Sequence, residues 1–180
     1  MRTRDFQKQK VSKFGKSFDK QNCYDSLESA QSDLNLMHQQ MVELLGITDE
    51  LLIHPPTILK PHGNRKNVSV YRPANHCIVL VPKSTHKRKL IHEMCHSLNK
   101  TVAKGKRRTV GASHGIEYTT IYIFALGAFY WDFTRFDFVE SVANEFGCQY
   151  DKQWLEQLKT SFTQSTQSTQ SKQLSIQWIA

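Results

Sequence analysis

The chain has 180 residues, an apolar content of 39% and a formal net charge of +8. This length is enough for one domain with a buried core, and the apolar content is that of a globular chain. The four cysteines include no C-x-x-C pair, which argues against a cysteine-based zinc ribbon and favours a reducing compartment. The positive charge favours either a polyanionic partner or a solvated basic surface.

The N-terminal segment, residues 1–22, is rich in Lys, Arg, Gln and Ser, and its three phenylalanines are scattered. We predict that this segment is a basic flexible arm. It lacks the apolar stretch of a signal peptide, and the longest apolar run in the chain, Ile121–Trp131, is too short to span a bilayer. These features predict a cytoplasmic protein without a membrane contact.

The folded domain is predicted over residues 23–162, and it begins with a helix over Asp25–Leu45. Apolar residues recur there at alternating three- and four-residue spacing, which gives the helix one apolar face. Asp25 followed by Glu28 resembles a capping box, and Gly46 suits the position just after a helix.

Short runs rich in β-branched residues follow at Thr57–Leu59, Val68–Tyr71 and His76–Val81. The intervening Arg72–Asn75 has the composition of a turn, so the last two runs are predicted to form a hairpin. The fold class is therefore α+β, with an N-terminal helix, a small and mostly antiparallel sheet, and further helices behind it. An exposed strand of such a sheet could hold an extended peptide by backbone hydrogen bonds.

A predicted helix over Ser84–Lys100 carries the pattern H-E-x-x-H, which begins at His92 and ends at His96. Residues four apart share one face of a helix, so both imidazoles can bind one zinc ion. Glu93 lies beside them, where it can act on a water molecule that zinc acidifies. The pattern predicts a Zn²⁺ site, although two histidines at this spacing also occur by chance on surface helices.

The segment after this helix begins with a basic loop that contains Lys104–Arg108. Further helices are predicted up to about Trp131, over Phe136–Tyr150 and over Asp151–Phe162. The last segment, residues 163–180, holds Gln-Ser-Thr repeats and is predicted to be a polar low-complexity tail.

A catalytic zinc site uses three protein ligands and keeps one position open. The sequence offers two candidates for the third ligand. His114 lies at the start of the first predicted helix after the basic loop, and Glu140 lies on the helix that follows. The spacing alone leaves both candidates open.

The H-E-x-x-H motif at His92, followed by H-G-x-E-Y at His114, resembles small zincin-type zinc metallopeptidases. The SprT-like proteases are the nearest named family, and the resemblance covers roughly Asp25–Tyr150. It implies a zincin-like fold with His92, His96 and His114 as zinc ligands and Glu93 as the general base. The chain lacks the C-terminal cysteine-rich ribbon that many SprT-like proteases carry. The alternative ligand Glu140 instead resembles the arrangement in ImmA/IrrE-type peptidases.

The predicted function is that of a zinc-dependent metallopeptidase acting on a protein or peptide, with a zinc-activated water and Glu93 as the general base. The alternative is a basic nucleic-acid-associated protein with a structural or vestigial metal site, or a protease acting on DNA-bound proteins. Nucleic acid would then contact the basic arm and the Lys104–Arg108 loop. The sequence does not choose an oligomeric state or a second electrophile, for which the candidates are Tyr118, Tyr122, Tyr130 and His86.

Overall fold

The computed structural model describes residues 7–18, 23–50, 52–61, 69–81, 86–99, 114–131 and 133–177, with side chains up to residue 167. Within these ranges the chain is α+β, as predicted, and consists of six α-helices and a three-stranded sheet. The helices are α1 (Lys8–Lys16), α2 (Leu27–Leu44), α3 (Lys87–Leu98), α4 (Ile116–Phe129), α5 (Phe136–Glu145) and α6 (Lys152–Gln177). The strands are β1 (Thr57–Leu59), β2 (Val70–Arg72) and β3 (Cys77–Val79).

Helix α1 replaces part of the flexible arm that the sequence predicts over residues 1–22, of which the structure describes residues 7–18. Val11 and Phe14 are fully buried in the core, and Phe18 is nearly so. Val11, Phe14 and Phe18 follow the three- and four-residue spacing of an apolar helix face. Residues 7–18, the described part of the predicted arm, therefore contain a helix whose apolar face is buried in the core.

Helix α2 begins after a serine cap rather than after the predicted pair of Asp25 and Glu28. The Ser26 hydroxyl accepts a hydrogen bond from the Ser29 backbone N–H at 3.0 Å, and the Ser29 hydroxyl lies 3.3 Å from the Ser26 backbone nitrogen. These two contacts satisfy backbone donors at the helix start. The predicted end is confirmed, because Gly46 follows the helix with a φ of +58°.

The sheet is mixed, in the order β1-β3-β2, and not mostly antiparallel as predicted. Strand β2 runs antiparallel to β3 across a tight turn at Pro73–Asn75, which confirms the predicted hairpin. Strand β1 pairs in parallel with β3 on the other side. Since β3 is the central strand, β2 forms one edge of the sheet, and this edge packs against α3.

The central helices are α3 and α4, which pack against each other. Almost all of α4 is buried, as the apolar run in the sequence predicts. Near its C-terminus, Gly127 lies against α5 so closely that a Cβ atom there would be 3.1 Å from the Phe136 Cα and 2.5 Å from its ring. This close approach fixes how α4 sits on α5. No helix in the described ranges is both long enough and apolar enough to cross a bilayer.

Helix α6 extends beyond the predicted boundary at Phe162 and continues through the polar repeats to Gln177. Buried Leu155 and Leu158 anchor its first half in the core. In the polar part, the Thr163 hydroxyl donates to a backbone carbonyl one turn earlier, at 2.9 Å. Such local bonds allow hydroxyl residues to remain in a helix, so the low-complexity segment is helical over the described residues.

Candidate metal centre

Three histidines from two packed helices converge on one point. His92 and His96 lie one turn apart on α3, and His114 lies just before α4. One ligand atom from each residue lies within 4.8 Å of the other two, and the ring centroids are 4.9 to 5.4 Å apart. The three histidines that the sequence singles out are therefore brought together, and this cluster could hold a metal ion.

The turn that carries His114 is held by the first residues of α4. Gly115 is the N-cap residue of that helix, and the Thr119 hydroxyl donates to the Gly115 carbonyl at 2.9 Å. Packing of α4 against α3 then brings His114 to the other two imidazoles. The connecting residues 100–113, with the predicted Lys104–Arg108 loop, lie outside the described residues.

The imidazoles lie in partly dehydrated surroundings. His114 is buried, whereas His92 and His96 are half-buried. Desolvation, and next the positive charge of Lys89, hold the pKa of His92 well below its usual value. A neutral imidazole offers a free lone pair at neutral pH, which a metal ligand requires.

The Tyr118 side chain lies against all three rings. Its hydroxyl oxygen is 2.8 Å from His92 Nδ1 and 3.1 Å from the His92 carbonyl oxygen. Its ring stacks on His96 with centroids 4.4 Å apart and meets His114 edge-on at 4.9 Å. Because Tyr118 is fully buried and its hydroxyl contacts His92, it is part of the support of the cluster rather than a free electrophile.

Glu93, the predicted base, is buried beside the cluster with 3% of its surface exposed. One carboxylate oxygen lies 2.6 Å from Lys89 Nζ, and the other accepts the Tyr71 backbone N–H at 2.8 Å. Burial raises the pKa of Glu93, and the nearby Lys89 and the Tyr71 amide partly oppose this rise. Lys89 is not part of the H-E-x-x-H motif, but its position four residues before Glu93 places both side chains on one helix face.

The alternative ligand Glu140 lies elsewhere, in contact with α6. Its carboxylate forms an ion pair with Lys159 at 2.7 Å and accepts the Tyr150 hydroxyl at 2.7 Å. Desolvation raises the pKa of Glu140, but the bonds from Lys159 and Tyr150 outweigh it, so the pKa lies below its usual value. Within the part of the chain that the structure describes, no metal-binding cluster includes Glu140.

The remaining candidates for a second electrophile are not arranged for that role. The ring centroids of Tyr122 and His92 are 5.3 Å apart, but the buried Tyr122 hydroxyl lies beside Arg88. His86 is the N-cap residue of α3 and contacts Cys23 through its Nδ1 atom. Among the described ring contacts, Tyr130 meets other aromatic rings and no histidine of the cluster.

The donor set of the cluster consists of three imidazoles, without a carboxylate or thiolate, and imidazole is a common ligand of divalent transition-metal ions. The buried carboxylate of Glu93 directly follows His92 in the chain. The chain matches no family model, no curated protein and no solved structure.

Proposed function

We propose that this chain is a zinc-dependent metallopeptidase of the zincin type, with the SprT-like proteases as its nearest named family. The observation that carries the proposal is the cluster of His92, His96 and His114, with Glu93 directly after the first of them. When bound there, zinc would supply an acidified water molecule and polarise the carbonyl of a peptide.

In this proposal Glu93 is the general base. It takes a proton from the attacking water and passes it to the leaving nitrogen. The contacts with Lys89 and the Tyr71 amide occupy one lone pair on each oxygen, and each oxygen keeps another. Lys89 also favours the ionised carboxylate that a base requires, against the effect of burial.

The substrate that suits this site is an extended stretch of protein or peptide. Strand β2 forms the edge of the sheet beside α3, and its Tyr71 N–H points away from β3 toward Glu93. Val70 and Arg72 on either side are exposed. Because the Tyr71 N–H is already bonded to Glu93, an extended chain along this edge would contact the exposed Val70 and Arg72 side chains and pass close to the base.

The first test is the metal content of the purified protein, by elemental analysis, for wild type, His114→Ala and Glu140→Gln. We expect one zinc per wild-type chain, a strong loss for His114→Ala and no change for Glu140→Gln, the matched control at the rival ligand. Zinc that is retained in His114→Ala and lost in Glu140→Gln would move the third ligand to Glu140. A wild type without zinc after reconstitution would contradict the proposed function.

The second test is cleavage of an unfolded protein substrate by zinc-loaded protein. Glu93→Gln should keep its zinc and lose hydrolysis, because the amide cannot accept the proton. Glu145→Gln, a charge change at an exposed position on α5, serves as the control and should leave cleavage intact. Continued cleavage by Glu93→Gln would rule out Glu93 as the base.

A second candidate function is nucleic-acid association, either alone or in a protease that acts on DNA-bound proteins. Helix α1 favours it, because Lys8, Lys13 and Lys16 are exposed on a helix without acidic residues, in a chain of charge +8. Binding to DNA should then weaken steeply with salt, and replacing these lysines by glutamine should reduce that slope. Absence of binding even at low salt would eliminate this candidate.

A further inference from the structure

We propose that Tyr118 is a positioning residue that prepares His92 as a zinc ligand by fixing which ring nitrogen carries the proton. This inference deepens the proposed zinc site and rests on it. It gives a specific role to a side chain that the sequence offers only as one of four candidates for a second electrophile. The Tyr118 hydroxyl makes two contacts with His92, one with its ring and one with its backbone.

The Tyr118 hydroxyl has a single proton to donate and two lone pairs that can accept. A backbone carbonyl only accepts, so the 3.1 Å contact with the His92 carbonyl uses the hydroxyl proton. When the hydroxyl proton is donated to the carbonyl, the 2.8 Å contact with His92 Nδ1 runs the other way, with an Nδ1–H donating to the hydroxyl oxygen. In this arrangement the proton of the neutral ring lies on Nδ1, and Nε2 keeps its lone pair.

This tautomer is the one that leaves His92 Nε2 available to a metal ion. The nitrogen of a histidine that binds metal is set by the hydrogen bond that the other nitrogen makes. Without a partner for Nδ1–H, the ring can place its proton on Nε2 and can turn about its side-chain bonds. The Tyr118 hydroxyl restricts both, since it is fully buried and also bonded to the His92 backbone.

The location of Tyr118 joins this effect to the third ligand. It lies in the first turn of α4, four residues after His114, and its ring contacts His96 and His114 as well. Packing of α4 on α3 therefore places His114 beside the other two histidines and also orients the His92 ring through Tyr118. The tyrosine in H-G-x-E-Y is the sequence signal for this arrangement.

The first experiment compares zinc affinity in Tyr118→Phe and Tyr122→Phe, by competition with a chelator at neutral pH. Both substitutions remove one hydroxyl from a fully buried ring that touches His92, but only the Tyr118 hydroxyl bonds to that histidine. We expect zinc binding to weaken about 10- to 100-fold in Tyr118→Phe and to stay unchanged in Tyr122→Phe. Equal affinities in wild type and Tyr118→Phe would overturn the role of Tyr118.

The second experiment reads the tautomer directly, from imidazole ¹⁵N chemical shifts in zinc-free protein. Wild-type His92 should be protonated on Nδ1, and Tyr118→Phe should lose this preference. A wild-type His92 protonated on Nε2 would overturn the inference even if the variant failed to fold. Failure of the wild type to take up zinc would instead refute the proposed function, so the two results are distinguishable.

Discussion

Stability should fall in mild acid because of one histidine that lies outside the candidate metal centre. His38 on α2 is completely buried, and neither of its ring nitrogens has a hydrogen-bond partner among the described residues. Desolvation, with smaller effects from His76 and His54, lowers the pKa of His38 from 6.5 to about 4. The folded state therefore resists protonation at a pH where the unfolded chain accepts it.

The sign and size of the effect follow from this difference. Between pH 6.5 and pH 4 the unfolded state binds more protons at His38 than the folded state does, so the free energy of unfolding falls as the pH falls. Each pKa unit corresponds to about 1.4 kcal/mol, which gives a total loss of about 3 kcal/mol. Since small domains are stable by about 5–15 kcal/mol, this single group removes a large share of the stability.

The measurement is urea unfolding of zinc-free protein followed by tryptophan fluorescence, at several values between pH 7.5 and pH 4, for wild type and His38→Leu. The difference between the two proteins isolates His38 from the carboxylates and from the other histidines. As the pH falls over this range, the free energy of unfolding of His38→Leu should rise relative to that of wild type. This relative gain should reach about 3 kcal/mol at pH 4. Parallel pH profiles would refute the reasoning.

Three further predictions concern packing, helix capping and the environment of Glu93. Gly15→Ala should destabilise the fold by about 1–3 kcal/mol in thermal unfolding, because the alanine Cβ would lie 2.7 Å from the buried Tyr122 hydroxyl. An unchanged Tm would show that the surrounding side chains relax this contact without cost. Ser26→Ala should lower the free energy of unfolding by about 1 kcal/mol in urea through loss of the cap on α2, and no loss would place the helix start elsewhere. Lys89→Met should destabilise wild type more than it destabilises Glu93→Gln, because in wild type it leaves a buried carboxylate without its cation. Equal effects in a double-mutant cycle would exclude coupling between Lys89 and Glu93.

The elements that the sequence predicts well are those whose signal is local. The apolar spacing in α2, the continuous apolar run of α4 and the i,i+4 spacing of His92 and His96 all depend on residues close in the chain. His114 required a second motif, and the structure brings it to the other two imidazoles. Placement of Glu140 in an ion pair with Lys159 depends on the packing of α5 on α6, which spacing alone does not indicate.

The elements that the sequence analysis missed depend on contacts between distant parts of the chain. Helix α1 is short, and the Gln7 amide holds it to the backbone of Gln149 at the other end of the sequence. The parallel pairing of β1 with β3 is likewise a long-range choice that alternation along one strand cannot reveal. The extension of α6 is a different case. Its polar repeats continue a helix that begins with buried residues such as Leu155.

The close packing of Gly127 on Phe136 has a mechanical consequence at the opposite end of α4. A helix is a stiff rod, and the 13 residues from His114 to Gly127 correspond to about 20 Å of length. Distances between zinc and its ligand atoms must lie within about 0.2 Å of their ideal values. A small shift of α4 along its axis would therefore move His114 out of the geometry that a metal ion requires. We therefore expect substitutions at Gly127 to alter the affinity of the candidate metal site without changing any of its three histidines, so that the geometry of this site depends partly on the apolar core.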